Sequence, residues 1–124
     1  MKLREILEIL EAEILTDGID LDMEIPCAAG ADLMSDVLAF SKPRALLLTG
    51  LTNLQVVRTA EMADIAAIVF VRKKRPPAET IALAKQKHIP LLAAPYTLFE
   101  MCGRLYQHGM ASCDLDKAGC GNER

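Results

Sequence analysis

Polar side chains of two kinds, hydroxyl or amide groups and cations, follow three apolar runs of the chain. They are Thr49, Thr52 and Asn53 (with Gly50 between them) after the first run, Arg72, Lys73, Lys74 and Arg75 after the second, and Thr97 after the third. If these runs are parallel neighbouring strands, their carboxyl ends meet at the edge where open α/β sheets bind ligands. Hydroxyls, free helix N–H groups and cations together suit an anion such as a phosphate. The sequence therefore predicts a site for a small anionic ligand, possible examples being a nucleotide or a phosphorylated metabolite.

The same residues have a second interpretation that needs no ligand. Thr52 or Asn53 is the expected N-cap of the helix that follows. Thr97 would cap the last helix, with Glu100 three residues later completing a capping box. The cations at 72–75 would then belong to a solvated loop. Both interpretations stay open on the sequence.

The sequence does not contain the motifs of the common catalytic and cofactor-binding sites. Neither G-x-x-x-x-G-K-[ST] nor G-x-G-x-x-G occurs in the sequence, so no phosphate-cradling or dinucleotide motif is present. His88 and His108 each fall at the end of an expected helix, where a cation complements the helix dipole. Nothing brings together a nucleophile, a base and an oxyanion site. We therefore predict a protein that is not an enzyme and that uses no cofactor.

The four cysteines do not form a recognisable metal or redox motif. They are Cys27, Cys102, Cys113 and Cys120. None forms a C-x-x-C pair and neither histidine has finger-like spacing to them, so no metal site is predicted. Without an export signal, a disulfide framework is not expected either. Cys113 and Cys120 fall in a polar tail, which we predict can be removed without changing the melting temperature.

Charge and composition exclude several classes of partner. The net charge is −3, aromatic residues make up 4% and Trp is absent, which argues against a nucleic-acid surface. No run is long and apolar enough to cross a membrane. The first residues lack the uninterrupted apolar core of a signal peptide. The sequence therefore predicts a cytoplasmic protein without nucleic-acid or membrane partners.

The first third of the chain is predicted to contain two helices with an extended segment between them. Apolar residues at 3, 6, 7, 10 and 14 predict a helix over residues 2–15, stopped by Asp17-Gly18. Residues 23–31 are expected to be extended. A short helix over residues 32–40 follows, with Asp32 or Ser35 as its N-cap.

From residue 44 onward, one strand–helix unit repeats three times. The strands are predicted at 44–50, 66–72 and 90–95, and the helices at 53–65, 76–88 and 97–109. Each strand is apolar throughout, as expected when both faces of a sheet are covered. The alternation predicts an α/β fold with a parallel sheet and right-handed crossovers. We expect one domain over residues 1–110, followed by a disordered tail at 111–124.

Three stretches carry a resemblance to a known family. They are "ADLMSDVLAF", "LLLTGLTNLQVVRTAEMADIAAIVFV" and "IALAKQKHIPLLAAPYTLFEMCGRLY". Together with the order of elements over residues 1–110, they resemble the DRTGG domain family, whose fold is like the N-terminal domain of HPr kinase/phosphorylase. The family has Asp-Arg after the first of these strands and Thr-Gly-Gly after the second. Here "GLTNLQ" and "VRKKRPP" stand at those places, so both signature pieces are absent.

The resemblance implies a regulatory module rather than a catalytic one. Family members stand beside other domains, with CBS pairs in some pyrophosphatases or before a phosphotransacetylase domain, and they often dimerise. Two hypotheses follow: a sensor that binds a small anion at the strand tips, or an adaptor that dimerises or docks on a larger partner enzyme. We predict a homodimer, with apolar residues of the segment 32–40 in its interface. These residues are Leu33, Met34, Val37, Leu38 and Phe40.

Overall fold

The computed structural model describes residues 1–113, which form five α-helices, a single 3-10 turn (Val71–Lys73) and a five-stranded sheet. The helices are α1 (Leu3–Leu10), α2 (Met34–Phe40), α3 (Leu54–Met62), α4 (Ala78–Gln86) and α5 (Leu98–Gln107). The strands are β1 (Glu13–Ile14), β2 (Ala28–Gly30), β3 (Leu46–Thr49), β4 (Ala67–Phe70) and β5 (Leu91–Ala93). Within this range, no helix has the length and apolar content that a membrane span requires.

The sheet confirms the predicted α/β fold. Its strand order is β1-β5-β4-β3-β2, and the four strands from β2 to β5 run parallel to one another. Every residue of β3, β4 and β5 is buried. Continuous burial explains why these strands are apolar along their whole length rather than at alternate positions.

Helices cover both faces of the sheet, which gives the fold three layers. On one face α1 and α5 pack against each other and against side chains such as Leu48 and Val69. On the other face α2, α3 and α4 lie side by side over Leu47, Ile68 and Phe70. The helices therefore hold the strand ends in fixed positions at each edge of the sheet.

The first helix is shorter than its apolar spacing predicts. It ends at Leu10, because Glu11 adopts the left-handed conformation with φ 52°. The chain then pairs with β5 in the antiparallel direction, through Glu13 and Ile14. The predicted helix over 2–15 and its stop at Asp17-Gly18 are therefore wrong beyond residue 10, since pairing with a distant strand satisfies the backbone there.

The second helix begins later than predicted and is not capped by a side chain. It starts at Met34, and its N-cap position is occupied by Leu33. Neither Asp32 nor Ser35 makes the predicted capping bond, because Asp32 binds the end of β3 instead. Ile25 and Cys27, which precede β2 in the chain, are both buried.

The last described residues return to the sheet. Ala28 donates its N–H to the carbonyl of Ala111 at 3.0 Å, and Ala28 pairs with Ser112 in a parallel bridge. Cys113 is buried and forms a disulfide with Cys27, with the two Cα atoms 5.3 Å apart. The expectation that no disulfide forms is therefore wrong, because the chain leaving α5 runs back along β2.

Residues 111–113, which the sequence assigns to the tail, thus belong to the fold. The predicted tail that follows them, with Cys120, lies outside the described residues.

Candidate functional site

The carboxyl ends of β3 and β4 lie side by side, as the parallel register requires. Thr49 pairs with Phe70, so Gly50 comes next to Val71. A Cβ atom at Gly50 would lie 3.5 Å from Cγ2 of Val71 and 3.5 Å from Oδ2 of Asp32. The small residue therefore allows a close approach of three segments at this edge.

Asp32 occupies the donors that the sequence assigned to an anion. The Thr49 hydroxyl donates to Asp32 Oδ1 at 2.8 Å, and the Gly50 N–H donates to the same oxygen at 2.7 Å. Thr49 is fully buried and also accepts a bond from the Leu51 N–H at 3.2 Å. Neither Thr49 nor Gly50 therefore has a donor left for an anionic ligand while Asp32 is in place.

Sequence reasoning missed Asp32 as a residue of this edge. It follows the extended segment 23–31, and so it stands at the carboxyl end of β2 just as Thr49 stands at the end of β3. That position was the available signal, but it was interpreted as a helix cap. The recognition that β2 is a fourth parallel strand beside β3 would have placed the carboxylate correctly.

The amino end of α3 lies at the same edge and carries no side-chain cap. Asn53 occupies the N-cap position, as predicted, but its side chain makes no capping hydrogen bond. The carbonyl of Thr52 accepts a bond from the Thr80 hydroxyl at 2.9 Å, which fixes the loop before the helix. The first N–H groups of a helix without a cap keep a partial positive charge, so this end can receive an anion.

The four cations after β4 divide into two kinds. Lys74 donates from Nζ to the Gly50 carbonyl at 2.8 Å, and Arg75 forms an ion pair with Glu13 at 2.7 Å. Arg72 and Lys73 are exposed, and within residues 1–113 neither side chain forms an ion pair. Two of the four cations thus bind other residues of the fold, and the other two face solvent.

The loop after β4 is held in place by its own backbone. Arg72 and Lys73 both adopt left-handed conformations, with φ 51° and 55°. Their N–H groups donate to the carbonyls of Tyr96 and Ala94 at 2.9 and 2.8 Å. The loops after β4 and β5 are therefore joined, and the exposed cations extend from a fixed backbone.

Thr97 caps α5, as predicted by the interpretation that needs no ligand. Its hydroxyl accepts a bond from the Glu100 N–H at 3.3 Å. The Glu100 carboxylate does not complete a capping box, because it accepts a bond from Nε of Arg104 at 3.1 Å. Thr97 lies at the predicted edge of the sheet, and its contacts are those of a cap.

Tyr96 links the loop after β5 to the end of α1. Its hydroxyl donates to the Glu11 carboxylate, and its ring lies under the Arg104 guanidinium, 3.9 Å from the ring centroid. The hydrogen bond to Glu11 raises the pKa of the Tyr96 hydroxyl above its usual value. Tyr96 therefore keeps its proton at neutral pH and acts as a donor in this position.

The two histidines lie away from this edge. His88 follows α4 and lines a cavity of about 320 Å³ that also includes Thr16, Asp17 and Lys85, at the amino end of β5. His108 ends α5, with Nδ1 2.7 Å from the carbonyl of Arg104. Residues 1–113 contain no group of three His, Cys, Asp or Glu side chains placed to hold a metal ion.

Comparisons with known proteins agree on one family. The family model of the DRTGG domain matches residues 5–108. A solved structure with a similar fold contains the CBS and DRTGG domains of the regulatory region of Clostridium perfringens pyrophosphatase, complexed with the activator diadenosine tetraphosphate. The TM-score is 0.68 and the sequence identity is 17%. No curated protein matches the sequence.

The structural match covers a larger share of this chain than of the pyrophosphatase chain. It covers 93% of this chain and 52% of the pyrophosphatase chain, so this chain spans about half the length of that one. The likeness establishes the fold that the two chains share.

Proposed function

Since the chain belongs to the DRTGG domain family, we propose that it is a non-catalytic regulatory module that binds a small anionic ligand at the carboxyl edge of its sheet. The observation that carries the proposal is the uncapped amino end of α3, which stands beside the cations that follow β4. The pyrophosphatase region with a similar fold was crystallised with a dinucleoside polyphosphate. This supports a nucleotide or another phosphorylated metabolite as the class of ligand.

The phosphate would bind between α3 and the loop after β4. Lys74 is partly buried, and its contact with the Gly50 carbonyl holds the ammonium group three residues before the α3 N-cap, Asn53. An ammonium group has three protons, so Lys74 can donate to a phosphate while it keeps this bond. Arg72 and Lys73 would add charge-assisted hydrogen bonds, each typically worth about 1.5–3 kcal/mol when well ordered.

Asp32 would limit where the anion can lie. Its carboxylate already binds Thr49 and Gly50, and a phosphate placed next to it would be repelled. Only Oδ1 makes these two bonds, so Oδ2 is able to accept a hydroxyl of the ligand. A nucleotide fits this arrangement, with its phosphate toward α3 and a ribose hydroxyl toward Asp32.

Calorimetry with phosphorylated compounds tests this site. We would screen ATP, ADP and diadenosine tetraphosphate by thermal shift, and then measure the affinity of the best ligand. Arg72→Ala with Lys73→Ala, and separately Lys74→Met, should each weaken binding by about tenfold or more. Lys85→Met is the matched control, because Lys85 lines the cavity at the opposite end of the sheet. Wild-type affinity in both site variants, or no binding to the wild type at millimolar ligand, would contradict the proposal.

A second candidate function is an adaptor that dimerises or docks on a partner enzyme, and exposed apolar side chains favour it. On α5, Phe99 is 89% exposed and Tyr106 is 75% exposed. Leu33, Leu38 and Phe40 at α2 are also exposed, whereas Val37, which we predicted for the same interface, is buried in the core. The two helices lie on opposite faces of the sheet, so these side chains form two separate apolar surfaces. Exposed apolar surface is typical of interaction sites.

Light scattering separates the adaptor from the sensor. A homodimer should have twice the 13.6 kDa mass of the chain, and Leu38→Ser with Phe40→Ser, in the interface predicted at α2, should return it to a monomer. Met62→Ser is the control, because Met62 is also an exposed apolar residue, at 68%, but lies on α3. A monomer at every concentration would leave docking on a different protein as the only form of the adaptor function.

A further inference from the structure

The residues that follow α5 lie as a strap along the outer edge of β2. We define the strap as Ala111, Ser112 and Cys113. A parallel bridge between Ala28 and Ser112, which includes the hydrogen bond from the Ala28 N–H to the Ala111 carbonyl, attaches it to the strand. The disulfide from Cys113 to Cys27 is the second attachment.

The backbone of β2 alternates between its neighbour and this outer edge. The Cys27 carbonyl accepts from Leu46, and the Ala31 N–H donates to Leu48, so these positions face β3. Ala28 and Gly30 therefore direct their backbone groups outward. The strap covers the first of them, and its departure would break no hydrogen bond between β2 and β3.

The strap also separates two cavities. The one beside α5 has a volume of about 200 Å³ and is lined by apolar residues, among them Leu105, Tyr106 and Met110. The one beside α2 has a volume of about 320 Å³ and is lined by residues that include Phe40 and Cys113. Ala28, Gly30 and Ser112 line both cavities, so their common wall is made by the edge of β2 together with Ser112 of the strap.

We propose that Cys27 and Cys113 are a reversible redox pair whose disulfide latches the strap onto β2, and that reduction by a dithiol releases the strap and joins the two cavities into one groove. Both cysteines are buried, at 5% and 8% exposure. Because so little of the two side chains is exposed, a large reductant has little direct contact with either cysteine. The α2-side cavity, which Cys113 lines, gives a small thiol a path to its sulfur.

The dithiol reductant supplies the electrons and protons that open the disulfide. A thiolate of the dithiol attacks Sγ of Cys113, the S–S bond breaks, and Cys27 leaves as a thiolate that takes up a proton. The second thiol of the reductant then attacks the mixed disulfide and releases Cys113 as a thiol. Two electrons and two protons pass to the protein, and the dithiol becomes a cyclic disulfide. An oxidised thiol compound such as glutathione disulfide drives the reverse reaction.

The test compares single amides in the oxidised and reduced full-length protein. A Cys102→Ser, Cys120→Ser background leaves only the proposed pair, and alkylation with mass spectrometry counts its free thiols in glutathione buffers of defined ratio. Hydrogen exchange by NMR then follows the Ala28 amide, which donates to the strap, and the Ala31 amide, which donates to β3. Reduction should speed exchange at Ala28 by about tenfold or more and leave Ala31 unchanged.

A third substitution makes the result independent of the redox buffer. Adding Cys113→Ser to the same background should give fast exchange at Ala28 in both oxidising and reducing buffers. The proposal is overturned if the pair stays reduced in excess glutathione disulfide, or if Ala28 exchanges at the same rate in the oxidised and reduced proteins. Equal acceleration at Ala28 and Ala31 would also overturn it, because that result means general loosening of β2 rather than release of the strap.

Discussion

Asp32 is expected to have opposite effects on stability and on the proposed anion binding. Its carboxylate satisfies the fully buried Thr49 hydroxyl, and its charge lies beside the proposed anion site. Asp32→Asn should therefore lower the free energy of unfolding by about 1–3 kcal/mol and yet strengthen anion binding. Urea unfolding and calorimetry on the same samples check the two signs. Weaker binding together with lower stability would contradict this prediction, and would mean that the hydrogen bond from a ligand hydroxyl to Oδ2 of Asp32 outweighs the repulsion of the phosphate.

Tyr96 gives a prediction about pH. The hydrogen bond to Glu11 raises its pKa in the folded protein, so the bond contributes stability below the pKa of an unfolded tyrosine. That contribution is lost as the pH rises through the higher folded pKa, above about pH 10. In a Tyr106→Phe variant, which leaves Tyr96 as the sole tyrosine, absorbance at alkaline pH should report a raised pKa. Adding Glu11→Gln should lower it, and no change would show that the bond is absent in solution.

Some strands and helices can be predicted from the local sequence alone, and others cannot. The three central strands and the helices after them were predicted because burial on both faces leaves a continuous apolar run. The end of α1 was not predicted correctly. The apolar spacing of the helix continues to Ile14, but Ile14 pairs with β5 and belongs to the sheet. Asp32 and the disulfide were missed for the same reason. Asp32 depends on the pairing of β2 with β3, and the disulfide depends on the return of residues 111–113 to β2.

His88 allows a test of how one of these helices ends. It follows α4 with φ 59°, a conformation in which glycine avoids the steric cost of a side chain. His88→Gly should therefore raise the free energy of unfolding by about 0.5–1 kcal/mol, after the greater flexibility of glycine in the unfolded chain is subtracted. His108→Gly is the control, since His108 has φ −90° and offers no such gain. Equal effects of the two substitutions in thermal unfolding would refute this account.

At the scale of the whole molecule, the disulfide joins residues 86 positions apart and so closes the chain from Cys27 to Cys113 into one loop, with residues 1–26 outside it. Cross-links of long loops typically stabilise proteins by about 2–4 kcal/mol, chiefly by restricting the unfolded chain. Two truncations isolate this contribution: removal of 114–124 keeps Cys113, and removal of 112–124 discards it. Under oxidising conditions the longer deletion should be less stable by about that amount. This replaces the prediction, made from the sequence, that removing the tail with Cys113 leaves the melting temperature unchanged, because Cys113 is bonded to Cys27.

Reducing conditions supply the internal control for the two truncations. Once the disulfide is reduced, the longer deletion removes only the bridge at Ser112 and the burial of the Cys113 side chain. The difference between the truncations should then fall to about 1 kcal/mol, the usual scale of a single hydrogen bond or methyl-sized burial. A difference that persists in full after reduction would show that the strap holds by packing. A difference that is absent even when oxidised would show that the link between α5 and β2 carries no stability, and that the fold rests on the sheet and its two helical layers alone.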